Sequence, residues 1–261
     1  MNDLSGRISW ADVALALLLV IVAMVISRVR RTGLESDIAV ASVRAFAQLL
    51  AVGFVLDFVF DGKAALTPVV LAVMVGTATL TSGRRGKRVP GAYLVAAISI
   101  SAAAGGTLGV LLLLRIVPAV PRAAIPLGSM IISNAMNTTS LVMGRLRDDL
   151  AAHRREVEAH LSLGQTSTEA AASWHRRAVR SGMLPIIDQT KVVGLVALPG
   201  AMTGMLLAGA SASSAIRLQM VVMYMLVGGG AFAALVAGRL TTSRLFTADH
   251  QLIRSVRRVA D

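Results

Sequence analysis

The chain has no cysteine, which excludes disulfides and thiolate metal sites. Aromatic residues make up 4% and charged residues 15% of the 261 positions. Acidic residues are the scarcer sign, with 14 Asp and Glu against 26 Lys and Arg and a net charge of +12. There are four histidines, His153, His160, His175 and His250, all in polar segments. A histidine-built metal site inside an apolar segment is therefore excluded. No phosphate-binding loop of the form G-x-x-x-x-G-K-S/T occurs. If the protein uses ATP, the ATPase belongs to another chain.

What is abundant is apolar. Hydrophobic residues reach 55% and the mean hydropathy is +0.71, above the ~45–50% apolar share of soluble domains. In a soluble protein the positive charge would suggest nucleic acid. Here it falls mostly in short connections between apolar runs, the pattern of a membrane protein with a positive cytoplasmic side. Spans of about 20 mostly apolar residues are expected at Ile8–Ser27, Ile38–Phe60, Ala64–Leu80, Ala92–Leu114, Ile125–Met143, Val192–Gly209 and Ile216–Val236. The first is read as a retained span, because basic residues follow it without a small-residue cleavage site.

Lys and Arg alternate in density along the connections. Arg28, Arg30 and Arg31, then Arg84, Arg85, Lys87 and Arg88, the stretch after span five, and the tail from Arg239 hold twenty of the 26. Arg7, Lys63, Arg115, Arg122 and Arg217 fall on the other side, and Arg44 lies within a span. The expectation is an all-α polytopic membrane protein of about seven helices, residues 1–261 forming one transmembrane domain. Its N-terminus lies outside and its C-terminus in the cytoplasm.

Polar residues inside spans are costly and face a bundle interior or a pathway. Arg44 and Gln48, four apart, share a face of span two; Arg44 either snorkels to the cytoplasmic surface or lines a pathway. Span five carries Ser133, Asn134, Asn137 and Thr138, either as interhelical hydrogen-bonding groups or as pathway lining. Pro199-Gly200 in span six predicts a kink or break, which in transporters also marks gates. Met202 follows within a methionine-rich pair of spans, where thioethers serve as filler or as soft ligands.

The one long polar interruption is Arg147–Lys191, expected as a cytoplasmic helical hairpin between spans five and six. Asp148–Leu163 reads as a first helix, with acidic residues in its first turn and Gly164 as its C′ residue. Thr166 and Glu169 fit a capping box that starts a second. The hairpin could lie on the bilayer, its arginines on anionic lipid. Glu158 and Gly164, six apart, resemble the EAA-x-x-x-G coupling loop of ABC importer permeases, with His160 in place of the second alanine.

A wider resemblance runs from span two onward. IPLGSMIISNAMN at 125–137, EVEAHLSLG at 156–164 and PIIDQTKVVGLVALPGAMTGMLLAG at 185–209 resemble FetB-type permeases, described as iron-export ABC permeases and related to plant aluminium-tolerance permeases. That resemblance implies a multi-pass permease of the cell membrane that is itself no enzyme. It implies a cytoplasmic ATPase as partner, with ATP on that partner and no cofactor on this chain, and a homodimer of permeases. Under it, Glu156, Glu158, Gly164 and Glu169 contact the ATPase. Asp188 and Lys191 transmit its closure toward Pro199, and iron or another metal ion is the exported substrate. An ion-coupled secondary transporter is the alternative.

Overall fold

The computed structural model describes residues 9–60 and 64–253. Arg7, Lys63 and the tail from Arg254 lie outside the described residues. Among the described residues the chain is helical, with two isolated backbone bridges and no strand. In order the helices are α1 (Trp10–Arg30), α2 (Glu35–Phe60), α3 (Thr67–Arg85), α4 (Ala92–Leu113), α5 (Pro121–Ala152), α6 (Arg154–Ser162), α7 (Ser167–Ala170), α8 (Ala172–Val192), α9 (Gly200–Leu207) and α10 (Ala212–Leu245). By length and composition alone, α1, α2, α4 and α10 can each cross a membrane.

The chain divides into two compact units. One comprises Met1–Ala64 and Gly200–Ile216. Here Ser9 and Asp12 form a capping box that starts α1, and Arg31 in the left-handed region ends it. The Ser27 hydroxyl, 2.7 Å from that of Thr32, accepts from the Leu34 amide and fixes the turn into α2. Trp10 meets Phe46 edge-on at 6.4 Å. Most apolar side chains of α1 and α2 stay exposed, a surface suited to lipid.

The other unit comprises Ala65–Pro199 and Arg217–Asp261. Its centre is α5, which packs on α3, α4 and α8 and fully buries Ile131, Ala135, Val142, Leu146 and Leu150. Gly128 near the start of α5 lies under Leu71 of α3 and close to Leu108 of α4. Toward the other end, Met143 reaches Gly86, beside Ala92. So α3 and α5 run in one direction and α4 in the other.

The expected Asp148–Leu163 helix is not formed as such. α5 continues through Asp148 and Asp149 to Ala152, and the break falls at His153. Leu146, Leu150 and Ala151 keep facing the core, so the helix continues for as long as its packing does. The two aspartates therefore end a helix and do not open one. Gly164 takes φ +88 and the Thr166–Glu169 capping box forms, but the helix it starts has four residues. A turn at Ala171 separates it from α8 and lets Ala170, Ala171 and Trp174 all be buried.

The expected sixth span, Val192–Gly209, is not one helix. α8 ends at Val192, residues 193–199 are non-helical with Gly194 at φ +80, and α9 has eight residues. Eight residues of helix cover about 12 Å, under half of a ~30 Å hydrocarbon core. The break begins well before Pro199, which can supply no backbone donor.

Candidate functional site

The polar stretch does not stay apart from the bundle. α8 runs antiparallel to α5: Trp174 lies 5.8 Å from the His153 ring, and Gly182 lies against Thr138 and Val142. A β-carbon at Gly182 would sit 2.4 Å from the Val142 side chain and 3.2 Å from the Thr138 carbonyl. On its other side α8 meets α10, with Ile186 and Met183 beside Gly230 and His175 beside Gly238. Asp188 is six residues, about 9 Å, beyond Gly182. That brings it level with Asn134, near the middle of the apolar part of α5.

This register sorts the polar residues of span five. Asn134 turns inward and donates from Nδ2 to the Leu226 carbonyl of α10 at 2.8 Å. Thr138 is buried beneath Gly182. Ser133 and Asn137 are exposed, and Asn137 Oδ1 accepts from Arg85 Nη1 of α3 at 2.9 Å. Sequence reasoning placed Arg85 only in a connection; its link to Asn137 needs the α3–α5 packing.

The exposed side of α8 carries Arg177, Arg180, Leu184, Asp188 and Lys191 in helical spacing. Lys191 Nζ donates to Asp188 Oδ1 at 3.1 Å, and the two side chains are 67% and 62% exposed. Pro185 interrupts the same face and removes the usual donor to the Ser181 carbonyl. Arg44 and Gln48 occupy exposed positions on α2, and Met202 lies on α9, all within the first unit. Pro199 closes the first segment of the second unit.

At the end of the bundle where α5 meets α6, a second constellation forms. α6 buries Val157, and both His153 and His160 contact the Trp174 ring, the latter at 6.5 Å. Glu156 is exposed, and Glu158 accepts from Arg154 Nε at 3.0 Å. A cleft of about 670 Å³ runs beside residues 151–156 and Glu158. Glu169 accepts from the Thr166 amide and hydroxyl, both at 2.8 Å, and these bonds hold its carboxyl below the ordinary range. The Ser167 amide donates to His250 Nδ1 at 3.2 Å, so the segment after α10 returns to this corner. Trp174 and His250 had no sequence signal beyond their residue type. His175 sits 3.2 Å from the Thr242 hydroxyl; burial pushes its pKa below 6.5, partly opposed by a hydrogen bond to Gly238. Among the described residues no group of three or more His, Asp or Glu side chains converges.

The model of the uncharacterised protein family UPF0014 matches residues 10–246. This chain belongs to the UPF0014 family. Relatives of this UPF0014 protein cover most of its length. It is 42% identical over 235 residues to the UPF0014 membrane protein STAR2 of Oryza sativa subsp. japonica, covering 89% of this chain and 82% of the relative. It is 39% identical over 241 residues to the protein ALUMINUM SENSITIVE 3 of Arabidopsis thaliana, at 92% and 88% coverage. It is 34% identical over 250 residues to the probable iron export permease protein FetB of Escherichia coli (strain K12), at 95% and 96%. No solved structure matches it. The family and its apolar helices make it a multi-pass membrane protein of the permease type.

Proposed function

We propose that this UPF0014 protein is the membrane subunit of an ABC transporter that exports a metal ion, driven by an ATPase on a separate chain. The observation that carries the reading is α8. One helix links the α6–α7 corner, rich in exposed charge, to an exposed charged face level with Asn134. Lipid does not tolerate such a face, so it belongs against water or protein. A second copy of the chain covers it, and the faces of two copies enclose the pathway. Ser133, Asn137, Asp188 and Lys191 line it, and Asn134 and Thr138 hold its wall. Pro199 follows at the break after α8.

The reading carries seven crossings, by α1 to α5, by α8 with its continuation, and by α10, with the Arg-rich end in the cytoplasm. There α6, with Glu156, Glu158 and the Gly164 turn, docks in a groove of the ATPase, and Glu169 holds the next turn. Closure of two ATPases pulls on α6 and, through Trp174, on α8. Iron follows from what the Escherichia coli relative is named for.

The test is co-purification with candidate ATPase subunits from the same organism. A stable complex with stimulated ATP hydrolysis is expected; absence of any binding ATPase overturns the reading. Cellular metal content after deletion tests the substrate: iron should rise, and unchanged iron removes it as cargo. The exposed Asp188 carboxylate favours one second reading, an ion-coupled secondary transporter. Transport that persists without ATP and collapses with a proton ionophore would select it.

A further inference from the structure

The turn between α3 and α4 forms a basic cavity against α5. It encloses about 290 Å³ between Arg85, Gly86, Lys87, Arg88 and Val89 on one side and Gly144, Arg147 and Asp148 of α5 on the other. At about 30 Å³ per water, that is room for a phosphate group with several waters. Lys87, Arg88 and Arg147 line it against one carboxylate, and Arg85, whose Nη1 donates to Asn137, adds a fourth cation. Arg147 is 95% buried (relative exposure 5%). Its Nη1 is held by Asp148 at 2.6 Å, while its buried Nε makes no hydrogen bond among the described residues. Arg147 lines the cavity, and a buried guanidinium met by a single carboxylate is costly unless further acceptors approach it. The ligand that fits must be anionic, rich in oxygen acceptors and small at its head.

We propose that this cavity binds a phosphate-bearing anion, the headgroup of an anionic phospholipid. Its position supports a lipid source. Arg84 and Arg85 end α3, Lys87 and Arg88 follow directly, and a β-carbon at Gly91 would lie 3.6 Å from the Arg244 guanidinium. The cations therefore cluster where helices leave the apolar layer, and basic pockets at that level take anionic headgroups. The arginines supply the fork-shaped donors that phosphate oxygens match. Lys87 and Arg88 are exposed at the mouth, and Arg147 forms the floor.

The test uses the full-length protein in nanodiscs of phosphatidylcholine containing phosphatidylglycerol, with retained lipid counted by native mass spectrometry. Wild type is expected to retain phosphatidylglycerol over phosphatidylcholine. The double variant Lys87→Gln/Arg88→Gln should lower that preference by about tenfold or more, since each basic residue at the surface contributes separately. Arg28→Gln/Arg30→Gln, which removes equal charge from exposed positions of α1, should leave it intact. A parallel arm titrates inorganic phosphate into detergent-solubilised protein. Binding of phosphate without lipid preference would overturn the lipid source. Equal loss in both double variants, or no retained anion on wild type, would overturn the site.

Discussion

Gly182 rests directly on the carbonyl of Thr138, with the Val142 side chain closing the gap that a β-carbon would fill. This contact sets the register of α8 on α5 and hence the depth of every polar residue beyond it. Replacing Gly182 with Leu should force the helices apart and cost about 1–3 kcal/mol, the usual cost of overpacking. A fall in thermal unfolding temperature in detergent checks this. Gly164→Ala, at an open position with positive φ, should lower it less.

Asn134 and Asn137 are one turn apart and should respond differently. Asn134→Ala removes the bond to the Leu226 carbonyl and should destabilise the protein by about 0.6–2 kcal/mol. Asn137→Ala, on an exposed face, should leave stability nearly unchanged while lowering transport. Parallel unfolding and vesicle-uptake measurements separate the two. Equal loss of stability would place Asn137 among the packing residues.

Asp188→Asn should reduce metal-stimulated ATP hydrolysis by about tenfold, the loss expected when a charged contact of roughly 1.4 kcal/mol is removed. Lys191→Gln frees the Asp188 carboxylate and should tighten metal binding. Both effects are read from metal titrations of ATPase activity in reconstituted vesicles. If Asp188→Asn behaves as wild type, the carboxylate has no part in the pathway.

At the end proposed to dock an ATPase, Glu158→Lys reverses a charge beside the 670 Å³ cleft and should weaken association with that partner. Gly164→Pro should do the same, because proline cannot adopt φ +88. Pull-down with the ATPase and the dissociation rate give the measurement. Undiminished binding in both variants would remove α6 from the docking surface.

His175 links stability to pH. Burial lowers its folded pKa below the ordinary 6.5, so the unfolded chain binds the proton more readily. Its stabilising contribution is complete above about 6.5 and is lost as pH falls through that value toward the folded pKa. Melting temperature should decline between pH 7.5 and 5.5, and His175→Gln should flatten that decline. An unchanged slope in the variant would assign the pH dependence to other groups.

Much of this protein was legible in its sequence because the bilayer imposes one-dimensional rules. Apolar length marked the helices at Ala92 and Ile38 to within a few residues. Single residues with local consequences also read through: Gly164 as a C′ residue and Thr166 with Glu169 as a capping box, since a cap involves only its own turn. What failed involved partners distant in sequence. The end of α5 moved to Ala152 because Leu146 and Leu150 find core contacts. The Asp188–Lys191 pair went from the edge of the polar stretch to the level of Asn134 because Gly182 admits α8 to the bundle.

The sequence by itself determined a multi-pass, all-helical membrane protein with its positive charge on alternate connections, because hydropathy and charge act residue by residue. Only the tertiary structure decided which polar residues turn inward, which stay exposed, and that α8 joins the charged end to the middle of the bundle. Those outcomes depend on which small residues meet across a helix interface, and that is a property of pairs.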